Sequence, residues 1–160
     1  RIEDGSQLIG KEPVEINNII DEITAELEIM PEDERFTLHT DFNEQVIVEG
    51  NPSLIGSIFR NLTENAIAYS GGKNIYISLV ENNETMCKIT FEDDGCGVEE
   101  KQLPRLFERF YRVDKGRSRQ MGGTGLGLAI VKHAVQFHGG NITVTNRNGG
   151  GLKFEFTIKK

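Results

Sequence analysis

Between Leu152 and Ile158 the sequence alternates without a break: Leu152, Phe154, Phe156 and Ile158 are apolar, while Lys153, Glu155 and Thr157 are polar. Successive strand side chains point to opposite faces, so this stretch makes a strand with one dry face and one wet face. The same period recurs in Ile75, Ile77 and Leu79 around Tyr76 and Ser78, and in Cys87, Ile89 and Phe91 around Lys88 and Thr90. Ile142 and Val144 begin a hairpin that Gly149–Gly151 turns into the Leu152 strand. Arg35–Asp41 and Gln45–Glu49 read as two further strands around the polar turn Phe42–Glu44. Strands with one dry face need a cover.

Helical stripes supply it. Ile16, Ile19, Ile20, Ile23 and Leu27 recur at helical spacing until Pro31 stops the pattern. Asn51–Pro52 offers an N-cap followed by proline at the first helical position, and Leu54, Ile55, Ile58, Phe59, Leu62 and Ala66 then form a broad stripe. That helix is expected to reach about Tyr69, before Gly71–Gly72. A last helix is expected from Gly125 to about Phe137, closed by Gly139–Gly140. The order implies an α/β fold: a two-layer α/β sandwich with a mixed, mostly antiparallel sheet and helices packed on one face. Residues 1–13, with Gly5, Gly10 and Pro13, read as a linker or the tail of a preceding element, and the domain is drawn over 11–160 after a linker of 1–10.

The formal charge of -7 argues against a general nucleic-acid binder, and no apolar run is long enough to cross a bilayer. Two cysteines, Cys87 and Cys96, are too few for a disulfide framework and lack metal-site spacing, which fits a reducing, cytosolic setting. Cys87 falls on the apolar face of its strand and reads as core filling. His39 is out of step with Phe36 and Leu38 and should face water, while His133 and His138 share the last helix without a metal-like partner pattern.

Three local features carry chemistry. In Asp93–Asp94–Gly95–Cys96–Gly97, Asp93 continues the face of Cys87, Ile89 and Phe91, so an apolar run ends in an inward carboxylate. Such a group can accept a hydrogen bond from a base amine, and Gly95 and Gly97 let the backbone turn and approach a flat ring. Gly122–Gly123–Thr124–Gly125–Leu126–Gly127–Leu128 leads into the last helix, whose N-terminal amides and dipole suit phosphate oxygens. Asn61 and Asn65 stand one turn apart on a single helix face, where their amide oxygens can reach one Mg²⁺ ion. Each alone also fits a plain role: a turn, a hinge, a pair of structural amides. Between the glycine segments, Arg109, Arg112, Lys115, Arg117 and Arg119 face the single acid Asp114, as suits either a solvated loop or a lid over a triphosphate. Their joint order is what excludes the plain readings.

NLTENAIAYS (Asn61–Ser70), DDGCG (Asp93–Gly97), LFERFYRVD (Leu106–Asp114) and GGTGLGLAIVKH (Gly122–His133) resemble the N, first glycine, F and second glycine boxes of sensor histidine kinases. These kinases share a superfamily with gyrase, the ninety-kilodalton heat-shock chaperones and the mismatch-repair ATPases. The resemblance spans 11–160, and the F box and lid look most like the phosphate-sensor type. It implies the Bergerat fold with an ATP lid, and a domain that binds ATP and Mg²⁺ and donates the γ-phosphoryl group to a histidine on a separate dimerisation and phosphoacceptor domain. A response regulator downstream is implied as well. Residue by residue, it implies Asp93 on the adenine amine, Asn65 on Mg²⁺, Asn61 supporting metal and phosphates, and Tyr69 lining the base pocket. Phe107 and Phe110 are to anchor the lid, Phe110 also bordering the nucleotide, and Arg112 is to meet the transferred phosphate. Gly95 and Gly97 shape the base pocket, and Gly123, Thr124, Gly125, Leu126 and Gly127 present amides to the phosphates.

Nothing here resembles the family's phosphoacceptor helix, while Arg1–Gly5 looks like the tail of the dimerisation segment. The fragment is therefore expected to be monomeric and cytoplasmic, with the full-length protein attached to the inner membrane. One departure is Ala68, where many such kinases carry Lys or Arg; Arg112 or Lys115 of the lid are the substitutes at hand. Two other readings use the same boxes. An ATP hydrolase of the superfamily carries a water-activating glutamate one turn before the metal asparagine; that position is Asn61, and Glu64 points about 100° away from Asn65 around the helix. A non-catalytic nucleotide-sensing or partner-binding module would keep the pocket and lose transfer.

Overall fold

The stripes and alternations resolve into seven strands and three α-helices among the residues this computed structural model describes, 10–111 and 126–160. In chain order they are β1 (Glu12–Glu15), α1 (Ile16–Glu28), β2 (Thr37–Thr40), β3 (Ile47–Gly50), α2 (Pro52–Asn65), β4 (Asn74–Asn82), β5 (Met86–Asp93), α3 (Gly127–Phe137), β6 (Ile142–Asn146) and β7 (Leu152–Lys159). A π-helical turn, Ala66–Ser70, continues α2, and a 3₁₀ helix spans Glu100–Arg105. Five strands form the main sheet in the order β2-β4-β5-β7-β6. The β2–β4 pair is parallel and the other three pairs are antiparallel. The mixed, mostly antiparallel two-layer sandwich expected from the alternations is what forms.

The dry face is the one the sequence marks. Ile75, Ile77, Cys87, Ile89, Phe91, Phe154, Phe156 and Ile158 are all buried, and Ile55, Ile58, Phe59 and Leu62 of α2 are buried with them. The Phe59 ring meets Phe156 edge-on at 5.7 Å. Burying one such ring contributes about 2–3 kcal/mol, so this contact is a substantial part of what holds α2 on the sheet. Cys87 is core filling, and burial pushes its thiol up to about 11.

The helix boundaries follow local chemistry. Asn51 Oδ1 accepts the Leu54 N–H at 2.9 Å, with Pro52 opening α2. Gly71, at φ 75°, ends the π turn. At the far end of α3, His138 Nδ1 donates to the Ala134 carbonyl (2.8 Å), and Nε2 accepts the Asn51 N–H (3.0 Å). A buried, neutral imidazole thus ties the end of α3 to the start of α2. His39 is exposed, as expected, and stacks on Tyr76.

One expectation needs correction, and two others gain detail. The segment 1–13 is not all linker, because Glu12–Glu15 is a strand antiparallel to β3. β2 and β3 flank the polar turn but lie in different sheets: β2 pairs with β4, and β3 with β1. Both outcomes depend on partners distant in sequence, which local alternation does not reveal. The helix expected to reach about Tyr69 does so, its last five residues, Ala66–Ser70, winding as a π turn after Asn65. π turns in helices occur most often at functional sites.

Candidate functional site

The N-box segment Asn61–Ser70 touches both glycine boxes, one near each of its ends. At the far end, the Ser70 carbonyl accepts the Cys96 N–H at 2.8 Å, and Ser70 Oγ accepts the Gly72 N–H at 3.0 Å. A Cβ at Gly95 would collide with the Ser70 carbonyl oxygen, so no other residue fits this crossing without moving backbone. At the near end, Asn61 Oδ1 faces Gly127, the first residue of α3, and a Cβ there would lie only 3.1 Å from it. The N-box helix therefore meets the first glycine box at one end and Gly127 of the second at the other.

The floor of the site is Asp93. It ends β5 on the inner face, is 3% exposed, and lies opposite Ile75 of β4. Its Oδ1 accepts the Gly95 N–H at 2.9 Å and the Leu152 N–H at 3.3 Å. Among the described residues both bonds go to this one oxygen, which leaves Oδ2 as an acceptor for something else. Burial raises the Asp93 pKa above the ordinary carboxylate range, against these two hydrogen bonds that favour the charged form. Its neighbour Asp94 behaves oppositely. Some desolvation acts on it, but the Asn74 side chain (2.8 Å) and the Lys73 and Asn74 N–H groups (2.8 Å each) outweigh that and hold its carboxyl low. The last residue of β5 and the first after it sit in different environments.

Beyond Asp93 the loop is clamped again. Asn146 Oδ1 accepts the Val98 N–H at 3.0 Å, and its Nδ2 donates to the Val98 carbonyl at 2.7 Å. Gly97 sits beneath this pair with φ 68°, and a Cβ there would come 2.5 Å from Asn146 Oδ1. Asn146, Ser70, Asp94 and Leu152 are the site residues that sequence reasoning missed. Asn146 is 48 residues from its partner and reads locally as the end of a strand. No local signal marks it.

At the other end, Asn61 Nδ2 donates to the Ser57 carbonyl at 2.8 Å, which orients the amide and turns its oxygen outward. Asn65 is half-buried, and its side chain makes no hydrogen bond among the described residues. Two oriented or free amide oxygens on one helix face are hard, neutral ligands that suit a cation already carrying phosphate oxygens. No group of three His, Cys, Asp or Glu side chains able to hold a metal occurs among the described residues. The donor set fits Mg²⁺ shared with a substrate and not a self-sufficient protein cage. Tyr69 and Ala68 lie half-buried in the π turn. Glu64 is exposed and lines a groove of about 120 Å³ between α1 and α2 with Ile23, Leu27 and Met30.

Phe107 packs edge-on against Phe154 at 6.1 Å. Phe110 does not: it is 67% exposed with a left-handed φ of 66°, rare for so bulky a residue. Leu103, Leu106, Phe107 and Tyr111 are the side chains of this segment that pack on the core. Arg112, Gly123, Thr124 and Gly125 lie outside the described residues, whereas Leu126 and Gly127 open α3.

A fold of this topology with two glycine boxes bridged by an asparagine helix defines a nucleotide-binding class. The family model of histidine kinase-, DNA gyrase B- and HSP90-like ATPases matches residues 50–160, and the chain belongs to that family. It is 35% identical over 159 residues to the sensor-like histidine kinase SenX3 of Mycolicibacterium smegmatis, covering 99% of this chain and 41% of that protein. The chain thus spans about two fifths of this curated relative. Among solved structures, the mycobacterial sensor histidine kinase MprB superposes with a TM-score of 0.76 at 28% identity, covering 92% of this chain and 97% of that one. Histidine kinase ThkA, solved in complex with response regulator protein TrrA, gives 0.74 at 25% identity, covering 94% and 42%. Among the described residues no helix is long and apolar enough to cross a membrane.

Proposed function

We propose that residues 11–160 form the ATP-binding catalytic domain of a sensor histidine kinase. In this reading Asp93 Oδ2 accepts the adenine amine and the bridged N-box helix carries the phosphates toward α3. The observation that carries it is the helix itself: Ser70 seals the base end against Gly95, and Asn61 faces Gly127 at the phosphate end. Roughly 13 Å of helix separates these contacts at 1.5 Å per residue, along which an extended nucleotide can lie.

Asn65 and Asn61 would hold Mg²⁺, which when bound neutralises phosphate charge. The chain's own residues do the positioning, the larger part of phosphoryl transfer. Glu64 supports transfer over hydrolysis, because a general base must reach the attacking water and this carboxylate instead lines the α1–α2 groove. The acceptor is a histidine on a separate dimerisation domain of the same protein, and a response regulator receives the group next. The chain alone is monomeric and works in the cytoplasm, the whole protein being anchored at the inner membrane. Arg112 on the transferred phosphate and Gly123–Gly125 on the phosphate oxygens complete the reading.

The test is a calorimetric titration of Mg-ATP into the parent and Asp93→Asn, followed by transfer of labelled γ-phosphoryl to a supplied dimerisation domain. Asp93→Asn should weaken ATP by at least about 100-fold, since a group left without its buried partner loses a charge-assisted bond. A raised folded pKa means the charged carboxyl costs the free protein stability at neutral pH, a cost that fades as pH falls through that pKa. The variant should therefore melt no lower than the parent without nucleotide. A parent that binds ATP but labels no histidine would favour the nucleotide-sensing module.

A further inference from the structure

The sheet's outer face holds a cluster that the nucleotide site does not use. Residues adjacent on a strand point to opposite faces, so Glu92 lies outside where Asp93 lies inside. Arg147, at the start of the β6–β7 hairpin, donates from Nε to Glu92 Oε1 at 3.0 Å, the two side chains being 25% and 22% exposed. Its guanidinium lies 4.7 Å over the ring of Tyr76, which is itself stacked on His39 at 4.9 Å. Arg147 Nη1 also donates to the Gly150 carbonyl at 3.2 Å. Its backbone N–H donates to the Gly151 carbonyl at 2.8 Å, and its carbonyl accepts the Gly150 N–H at 3.0 Å.

The hairpin so gripped is intrinsically loose. Gly149, Gly150 and Gly151 are consecutive, with φ of 92°, 118° and 104°, values that only glycine takes readily and that leave the unfolded turn many alternatives. Yet the residue that follows, Leu152, supplies one of the two N–H groups on Asp93 Oδ1, and Gly151 packs against the Asp93 carbonyl. A turn of three glycines does not hold an amide in place unaided. A half-buried arginine with five donors in a fixed fork does.

We propose that Arg147 is a positioning residue for base recognition: from the outer face it latches the glycine hairpin to β5, so that the Leu152 N–H occupies Asp93 Oδ1 and Oδ2 stays turned to the ligand. This rests on the reading that Asp93 receives the adenine amine. Charge acts in the same direction. Arg147 favours the ionised form of Asp93, against burial and against the neighbouring carboxylate of Asp94. Glu92 and Lys153, cross-strand partners on the outer face, are the other charges beside it. Arg147 therefore acts on both the direction and the charge of the acceptor, without touching the nucleotide.

The experiment compares the parent, Arg147→Met and Arg147→Lys by calorimetry with two probes, Mg-ATP and the Mg complex of purine riboside triphosphate, which lacks the 6-amine. Titrations run from pH 8 to pH 5, with urea midpoints taken in parallel. Arg147→Met should weaken ATP roughly tenfold, the scale of one charge-assisted hydrogen bond, while changing the amine-free probe less than about twofold. Its ATP binding should also fail at a higher pH than the parent's, because Asp93 then protonates earlier. Arg147→Lys keeps the charge but not the fork, and should restore the parent's pH profile while leaving discrimination between the probes impaired. Equal weakening of both probes with an unmoved pH profile would overturn the proposal in favour of a purely structural arginine. So would a parent preference for ATP that both variants keep in full. A parent that binds the two probes equally would overturn the adenine reading and the proposal together.

Discussion

The two ends of the site are built differently. At the end that the proposed reading gives to the base, the Asp93–Val98 loop is held by many bonds: Oδ1 of Asp93 to two amides, Cys96 to Ser70, Val98 to both atoms of the Asn146 amide, and Asp94 to Lys73 and Asn74. The second oxygen of Asp93, Oδ2, takes no hydrogen bond among the described residues. At the phosphate end the balance is reversed. Asn61 spends one donor on Ser57, and the Asn65 side chain has no hydrogen bond among the described residues. The difference matches what the proposed reading asks of each end. Recognising a flat, neutral base needs acceptor and cradle fixed beforehand, because a loose site loses discrimination to its own reorganisation. Gripping a polyanion that arrives with its own cation needs free oxygens, which the ligand completes.

Gly95→Ala should break the base end most completely. Its Cβ would overlap the Ser70 carbonyl, and backbone on both sides would have to part. We expect a loss of about 2–3 kcal/mol of stability in urea and no measurable ATP binding by calorimetry. An alanine variant that binds ATP within tenfold of the parent would show that the crossing of the two boxes is not rigid, and the contrast between the ends would go with it.

Asn65→Ala tests the open end. Nothing folded is lost with this amide, so the melting transition should stay within about 0.5 kcal/mol of the parent's. Affinity for Mg-ATP should fall by one to two orders of magnitude, roughly the worth of one metal–oxygen contact, and the gap should close when the metal is chelated. Asn61→Ala should show the mixed signature: a similar metal-dependent loss plus about 1 kcal/mol of stability from the Ser57 hydrogen bond. If Asn65→Ala is equally weak with and without metal, the residue contacts phosphate or base and not Mg²⁺.

The same division explains what could be read from sequence. The open end is legible because its logic is local: two asparagines one turn apart, and a glycine run opening a helix. Asp93 is legible because it continues an alternation. The clamps of the base end are not, since Asn146 and Arg147 act across 48 and 55 residues and look, in NRNGGG, like an ordinary turn. β1 escapes for a related reason. Glu12–Glu15 carries two glutamates and a proline, a poor strand by propensity, and becomes one only because β3 supplies a ladder. Phe110, which the resemblance pairs with Phe107 as a lid anchor, is exposed while Phe107 packs on the core. Periodicity reports which face a residue prefers, and packing decides whether there is room.

The smallest expected effect concerns the link between the helices that carry the open end. His138 joins the end of α3 to the start of α2, and its Nε2 must be unprotonated to accept the Asn51 N–H. Burial lowers its pKa first, and the charge of Lys11 adds to this, against the hydrogen bond to the Ala134 carbonyl. A depressed folded pKa means the unfolded chain takes up this proton more readily than the folded one. The stabilising contribution is therefore present in full above the unfolded value of about 6.5 and is lost as pH falls below it, at no more than about 1.4 kcal/mol per pH unit for one group. Urea unfolding of the parent at pH 8, 7, 6 and 5 should show this acid-side loss, and His138→Gln should flatten it while starting from a lower plateau. ATP affinity measured on the same series should change less than stability does above pH 6.5, because His138 braces the helices and meets no ligand. A variant whose acid limb matches the parent's would assign the loss to another group and leave His138 as packing alone.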